Sequence, residues 1–236
     1  MPAAMTPELR AVLFDKDGTL VDFQATWVPA YWSAALKLTQ GDRALTRELL
    51  EATGLRSGPP DRILPDTPLA CGTTGEVVAA WADHLGRPAL ATLGRHLLAE
   101  HTRTPTAVNG LDLVLGRLHR QGFELGVATM DGTQEARDGL QALGVLELMG
   151  FVVGFDAGVG VKPGPGMVEA FAAAAGVSCA EIVVVGDSVR DMRMAQAAGA
   201  GLAVGVLTGP ASRTHLEPHA DVVIDSIAQL HEVLGC

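Results

Sequence analysis

The stretch Ala11-Val12-Leu13-Phe14-Asp15-Lys16-Asp17-Gly18-Thr19 constrains the fold more than any other part of the chain. Its four apolar residues read as a strand covered on both faces, the kind that parallel sheets use. Two carboxylates stand one residue apart just beyond the strand's end, and a glycine follows where the chain must turn. In an open α/β sheet, ligands bind outside the carboxyl ends of the strands. Acids held this close at such a spot repel each other unless a cation sits between them. The segment therefore predicts a parallel sheet with a metal-assisted site at its edge.

The remainder of the chain can be searched for the other strands. Apolar runs at 123–129, 151–153, 181–185, 201–206 and 222–224 read as strands. Helical patterns over 111–121, 133–143, 164–175, 189–198 and 226–234 lie between and after them. This alternation means βαβ units. Residues from about Asp22 to His101 carry helical periodicity and no convincing strand, so they read as an insertion after the first strand. All three Trp and the only Tyr lie in that insertion, with Trp27, Tyr31 and Trp32 at helical spacing.

The 236 residues carry a formal net charge of −10, which gives no general attraction for nucleic acid or an anionic membrane. Any phosphate site must therefore be locally positive. Cys71, Cys179 and Cys236 are too far apart in sequence for a zinc cluster and read as reduced thiols in the cytoplasm. No secretory signal and no membrane-length apolar run is visible. The sequence carries no signal for oligomeric state.

Three polar clusters follow the later strands. They are Thr129, Lys162-Pro163 and Gly186-Asp187-Ser188-Val189-Arg190-Asp191. A parallel sheet brings all of these ends to one edge. Asp15 and Asp187 can each give a carboxylate oxygen to a hard divalent cation such as Mg²⁺, which takes oxygen ligands and keeps waters. Lys162 and Thr129 suit an anion. Such a set can hold a phosphoryl group, attack it with a carboxylate and move a proton with a second carboxylate.

These motifs, in this order, resemble those of the haloacid dehalogenase-like hydrolase superfamily. They are most similar to its phosphoglycolate-phosphatase-like branch. Five fixed residues such as Asp15-Lys16-Asp17-Gly18-Thr19 arise by chance at a given position on the order of once per million. The resemblance implies a Rossmann-like doubly wound parallel sheet over residues 1–20 and 103–236, with an all-helical cap over 21–102. It implies a Mg²⁺-dependent phosphatase acting on a small phosphorylated metabolite. Asp15 would be nucleophile and metal ligand. Asp17 would be general acid/base and would give its backbone carbonyl to the metal. Asp187 would be a further ligand, with Thr19 and Asp191 in support. Thr129, Met130 and Lys162 would bind the phosphoryl oxygens, and Lys162 would count as catalytic. The second acid, Asp17, sets dehalogenation aside. A β-phosphoglucomutase-like isomerase and a non-catalytic binding protein are the alternative readings.

Several residues also have plainer readings. Asp191 fits a capping pattern begun by Ser188. Lys16 reads as a charged residue beside the site. The stripe Trp27-Tyr31-Trp32 reads more readily as helix-packing core than as a substrate wall. The family often has Asn after the motif-two Thr, where this chain has Met130 and then Asp131. Asp131 is expected to cap the helix beginning near Thr133, itself a plausible cap. Hinges are expected around Val21-Asp22 and near Thr104-Pro105.

Overall fold

The structure, a computed structural model, describes residues 8–88, 90–101 and 104–235. In chain order, strand β1 (Ala11–Phe14) is followed by helices α1 (Phe23–Leu38) and α2 (Arg43–Thr53). Two short strands come next, β2 (Leu55–Arg56) and β3 (Arg62–Ile63), then helices α3 (Pro68–Cys71), α4 (Thr74–His84) and α5 (Leu90–His101). The alternating half continues as α6 (Leu111–Arg120), β4 (Glu124–Ala128), α7 (Thr133–Ala142), β5 (Phe151–Val153) and α8 (Gly166–Ala175). It ends with β6 (Ile182–Gly186), α9 (Val189–Ala198), β7 (Leu202–Val206), α10 (Arg213–Leu216), β8 (Val222–Ile224) and α11 (Leu230–Leu234).

Six strands form one parallel sheet in the order β5-β4-β1-β6-β7-β8. The two-residue period of a strand explains its double covering. Val12, Phe14, Val183 and Val185 point into one apolar cluster, with Leu115 and Leu118 of α6. Ala11, Leu13, Ile182 and Val184 point into the opposite one, with Phe171 of α8 and Met192 of α9. Gly126 of β4 has no side chain because a Cβ there would stand 2.7 Å from the ring of Phe171.

Residues 23–98 build a third cluster of their own, centred on Trp81, Leu49, Leu50 and Tyr31. The expected helices are present in this segment. The antiparallel pair β2–β3 is an addition, since Leu55 and Arg56 face Ile63 and Arg62 in a ribbon that two residues per strand leave no period to announce. The segment joins the sheet through two crossing strands of chain. Asp22 N–H donates to the Thr106 carbonyl at 2.8 Å, and Val108 N–H donates to the Leu20 carbonyl at 3.1 Å. Among the described residues no helix is long and apolar enough to cross a membrane.

Candidate active site

Three adjacent strands, β4, β1 and β6, deliver the site. Asp15 continues β1, its N–H donating to the Val185 carbonyl at 2.8 Å. Thr129 continues β4, its N–H donating to the Val153 carbonyl at 3.0 Å. Asp187 follows Gly186, the last residue of β6. This is the point where the sheet order departs to both sides of β1, the place such folds reserve for ligands. Gly18 turns the chain at φ +88°, and a Cβ there would overlap the Asp187 carboxylate. Gly209 makes the same close approach to that carboxylate. The Asp187 side chain is thus packed against two backbone segments that only glycine permits.

Asp15, Asp17, Thr129, Met130, Lys162, Asp187 and Asp191 all border one cavity. Thr19 does not border it. It is fully buried beside β1, and its hydroxyl has no hydrogen-bond partner. Lys162 is 3% exposed, and its ammonium touches Asp15 Oδ1 and lies 2.6 Å from Asp191 Oδ1. Burial alone would discharge this amine. Asp15 and Asp191 outweigh that and hold it charged, with its pKa raised. Asp191 takes the capping role that its place after Ser188 predicts. Its Oδ2 accepts from the Ser188 N–H at 3.1 Å and hydroxyl at 2.6 Å, completing a capping box on α9, while Oδ1 faces Lys162.

The carboxylates outnumber the one ammonium between them. Oxygens of Asp15, Asp187 and Asp191 all lie within 4.8 Å of one another. Burial first, then repulsion from Asp191 and Asp17, pushes the Asp15 carboxyl up to about 7 against the pull of Lys162. Burial, Asp15 and Asp191 push Asp187 well above the usual carboxylate range. Asp191 Oδ1 is buried without a hydrogen-bond donor of good angle. Crowded hard oxygens with surplus negative charge fit a divalent cation such as Mg²⁺.

The outer half of the cavity departs from expectation. Lys16 is no bystander: it is 1% exposed, with its ammonium 2.7 Å from Asp17 Oδ2 and 3.0 Å from Asp131 Oδ2. Asp131 therefore does not cap α7. A buried ammonium holds its carboxylate more strongly than a helix end does. Gly132 occupies the cap position without a side-chain bond. Thr133 is the first helical residue, and Asp156 accepts from its N–H at 2.8 Å and its hydroxyl at 2.6 Å. Trp27 is both core and site. It stacks on Tyr31 at 5.3 Å between centroids, and its indole N–H donates to Asp17 Oδ1 at 2.8 Å. Trp32 lies apart, its indole donating to Asp61 at 2.9 Å.

Arg190 carries no expectation from sequence, yet it borders the same cavity. Its guanidinium donates to the Cys71 carbonyl at 2.7 Å and to the Lys162 carbonyl at 2.9 Å. The one available signal was its place on the first turn of α9, inside the Asp187–Asp191 motif.

The geometry has counterparts among known proteins. Residues 9–199 match the family model of haloacid dehalogenase-like hydrolases, and the chain belongs to that family. It is 30% identical over 238 aligned positions to a phosphoglycolate phosphatase of Yersinia pseudotuberculosis, covering 96% of this chain and 94% of the relative. It is 31% identical to a phosphoglycolate phosphatase of Rhodospirillum rubrum, covering 96% and 91%. A crystal structure from Haemophilus somnus 129PT, described as a predicted phosphoglycolate phosphatase, shares the fold at a TM-score of 0.74 and 20% identity, covering 98% of this chain and 99% of that one.

Proposed function

We propose that the protein is a phosphomonoesterase that hydrolyses a small phosphorylated metabolite through an aspartyl-phosphate. The observation that carries this reading is the convergence of Asp15, Asp17, Lys162, Thr129, Asp187 and Asp191 on one cavity. The relatives named phosphoglycolate phosphatase support the reaction class.

Each residue has a part that follows from its chemistry. Lys162 and the Thr129 hydroxyl hold oxygens of the phosphoryl group. Lys162 also fixes the Asp15 carboxylate through the contact described above. Asp15 attacks phosphorus, forming the P–O bond of an acyl phosphate as the ester oxygen leaves. Asp17 gives its proton to that oxygen and later takes one from the water that cleaves the acyl phosphate. Asp15, Asp187 and the backbone carbonyl of Asp17 would hold Mg²⁺, with Asp191 close by. When bound, the cation supplies positive charge against the transferring group. The segment over residues 21–102 acts as a cap, with hinges near Val21-Asp22 and Thr104-Pro105. Its closure excludes bulk water during the first transfer.

The test is hydrolysis of p-nitrophenyl phosphate with Mg²⁺. The wild type should turn over, and Asp15→Asn should lose activity by more than about 10³-fold, since the nucleophile itself is gone. Turnover by Asp15→Asn near the wild-type rate would end the covalent mechanism.

A further inference from the structure

We infer that the leaving group lies in a second chamber beyond Met130, and that the substrate is a phosphorylated sugar or polyol rather than a phosphorylated two-carbon acid. This rests on the phosphatase reading. The cavity over Asp15 has a volume of about 80 Å³. Ligand pockets commonly run to about 300–1,000 Å³. The inner cavity suits the transferring phosphoryl group and little more. A second cavity of about 580 Å³ opens beside it. Thr74, Met130 and Asp131 border both and form the seam between them.

The walls of the outer chamber indicate what it takes. Thr92 and Arg95 of α5, the Arg95 guanidinium donating to the Thr92 hydroxyl at 3.2 Å, line it together with Glu135 of α7 and Phe155. Hydroxyls, a guanidinium, carboxylates and two apolar side chains (Met130 and Phe155) together suit the hydroxyl groups and C–H face of a sugar. A second anion is poorly served at the seam. It would meet Asp131 there, Asp17 on the inner side and Glu135 farther out, while Arg95 borders the outer chamber alone, away from the seam. Arg190, the guanidinium bordering the inner cavity, is committed to the carbonyls of Cys71 and Lys162. A two-carbon acid would be too short to use the outer chamber, and its carboxylate would lie among those acids.

The experiment is steady-state kinetics with Mg²⁺ on p-nitrophenyl phosphate, 2-phosphoglycolate, glucose 6-phosphate and sorbitol 6-phosphate. Wild-type kcat/KM for the better of the last two should exceed that for 2-phosphoglycolate by about tenfold or more, the scale on which pocket contacts discriminate. Thr92→Trp fills the outer chamber from an exposed helix position and should cut that preference by about tenfold. Arg95→Ala adds no bulk and should raise KM for the six-carbon ester more than for 2-phosphoglycolate. A wild type that favours 2-phosphoglycolate, or a preference untouched by both variants, overturns the inference. Turnover of p-nitrophenyl phosphate in that case leaves the phosphatase reading standing. Failure to hydrolyse any of the esters would bring down both.

Discussion

Lys16 carries a charge into the interior between Asp17 and Asp131, at 2.7 and 3.0 Å. Burial works against its charged state, and the two acids outweigh burial and raise its pKa. Burial likewise raises the Asp131 carboxyl, and Lys16 pulls it back. The three groups are therefore stable only as a set. Removing one partner of a buried ion pair costs about 3–5 kcal/mol, because the other is left charged and dry. Lys16→Met should lower unfolding free energy in urea by roughly 3 kcal/mol. Lys16→Met with Asp131→Leu should recover part of that loss, since one orphaned acid goes with the amine. A single variant as stable as wild type would show that water reaches this triad. The sequence does not announce this burial, because a lone Lys between two Asp looks solvated. Its partner lies 115 positions on, in a loop whose approach only the folded sheet reveals.

At the scale of elements, α1 and α9 reach across the cavity in opposite directions. Trp27 of α1 gives its indole N–H to Asp17, and Arg190 of α9 gives its guanidinium to the last residue of α3. Both bonds exist only while the helical segment is seated on the sheet. A hydrogen bond to a charged group contributes about 1.5–3 kcal/mol. Trp27→Phe keeps an aromatic ring against Tyr31 and removes the donor. It should lower the melting temperature by several degrees and also lower kcat by about tenfold at temperatures where the variant is fully folded, if the bond orients Asp17 for proton transfer. A variant that melts lower but keeps the wild-type kcat while folded would assign Trp27 to packing alone. The parallel strands were legible because burial on both faces writes them as unbroken apolar runs such as Ile182-Val183-Val184-Val185. The acids at their ends were legible because a strand end fixes where the next residue goes. The ribbon β2–β3 was not, being two residues long on each side. The Arg190–Cys71 bond spans 119 positions and depends on how two hydrophobic clusters dock, which no local pattern records.

The whole molecule carries a net charge of −10 and concentrates three of its acids within 4.8 Å at one buried edge. That concentration couples stability to pH and to cations. Asp15 has a folded pKa of about 7 against 3.8 for the free carboxyl, and Asp187 shifts the same way. A raised folded pKa means the native state holds the proton more tightly than the unfolded chain does. Its contribution is complete below about pH 4 and is lost as pH rises through about 7. Glu76, Asp156 and Glu181 have lowered pKa values from hydrogen bonds at helix starts, so their contributions are lost only in the acid range below that window. In EDTA the protein should therefore melt lower at pH 8 than at pH 5. A divalent cation favours the ionised acids and should offset the loss where they are charged. Added Mg²⁺ should raise the melting temperature by several degrees at pH 8, taking about 2–4 °C per kcal/mol for a chain of this size, and by less at pH 5. Asp187→Asn should flatten the pH dependence in EDTA and shrink the Mg²⁺ effect together. A melting temperature that ignores both pH and Mg²⁺ over this range would mean that these carboxylates do not share a cation.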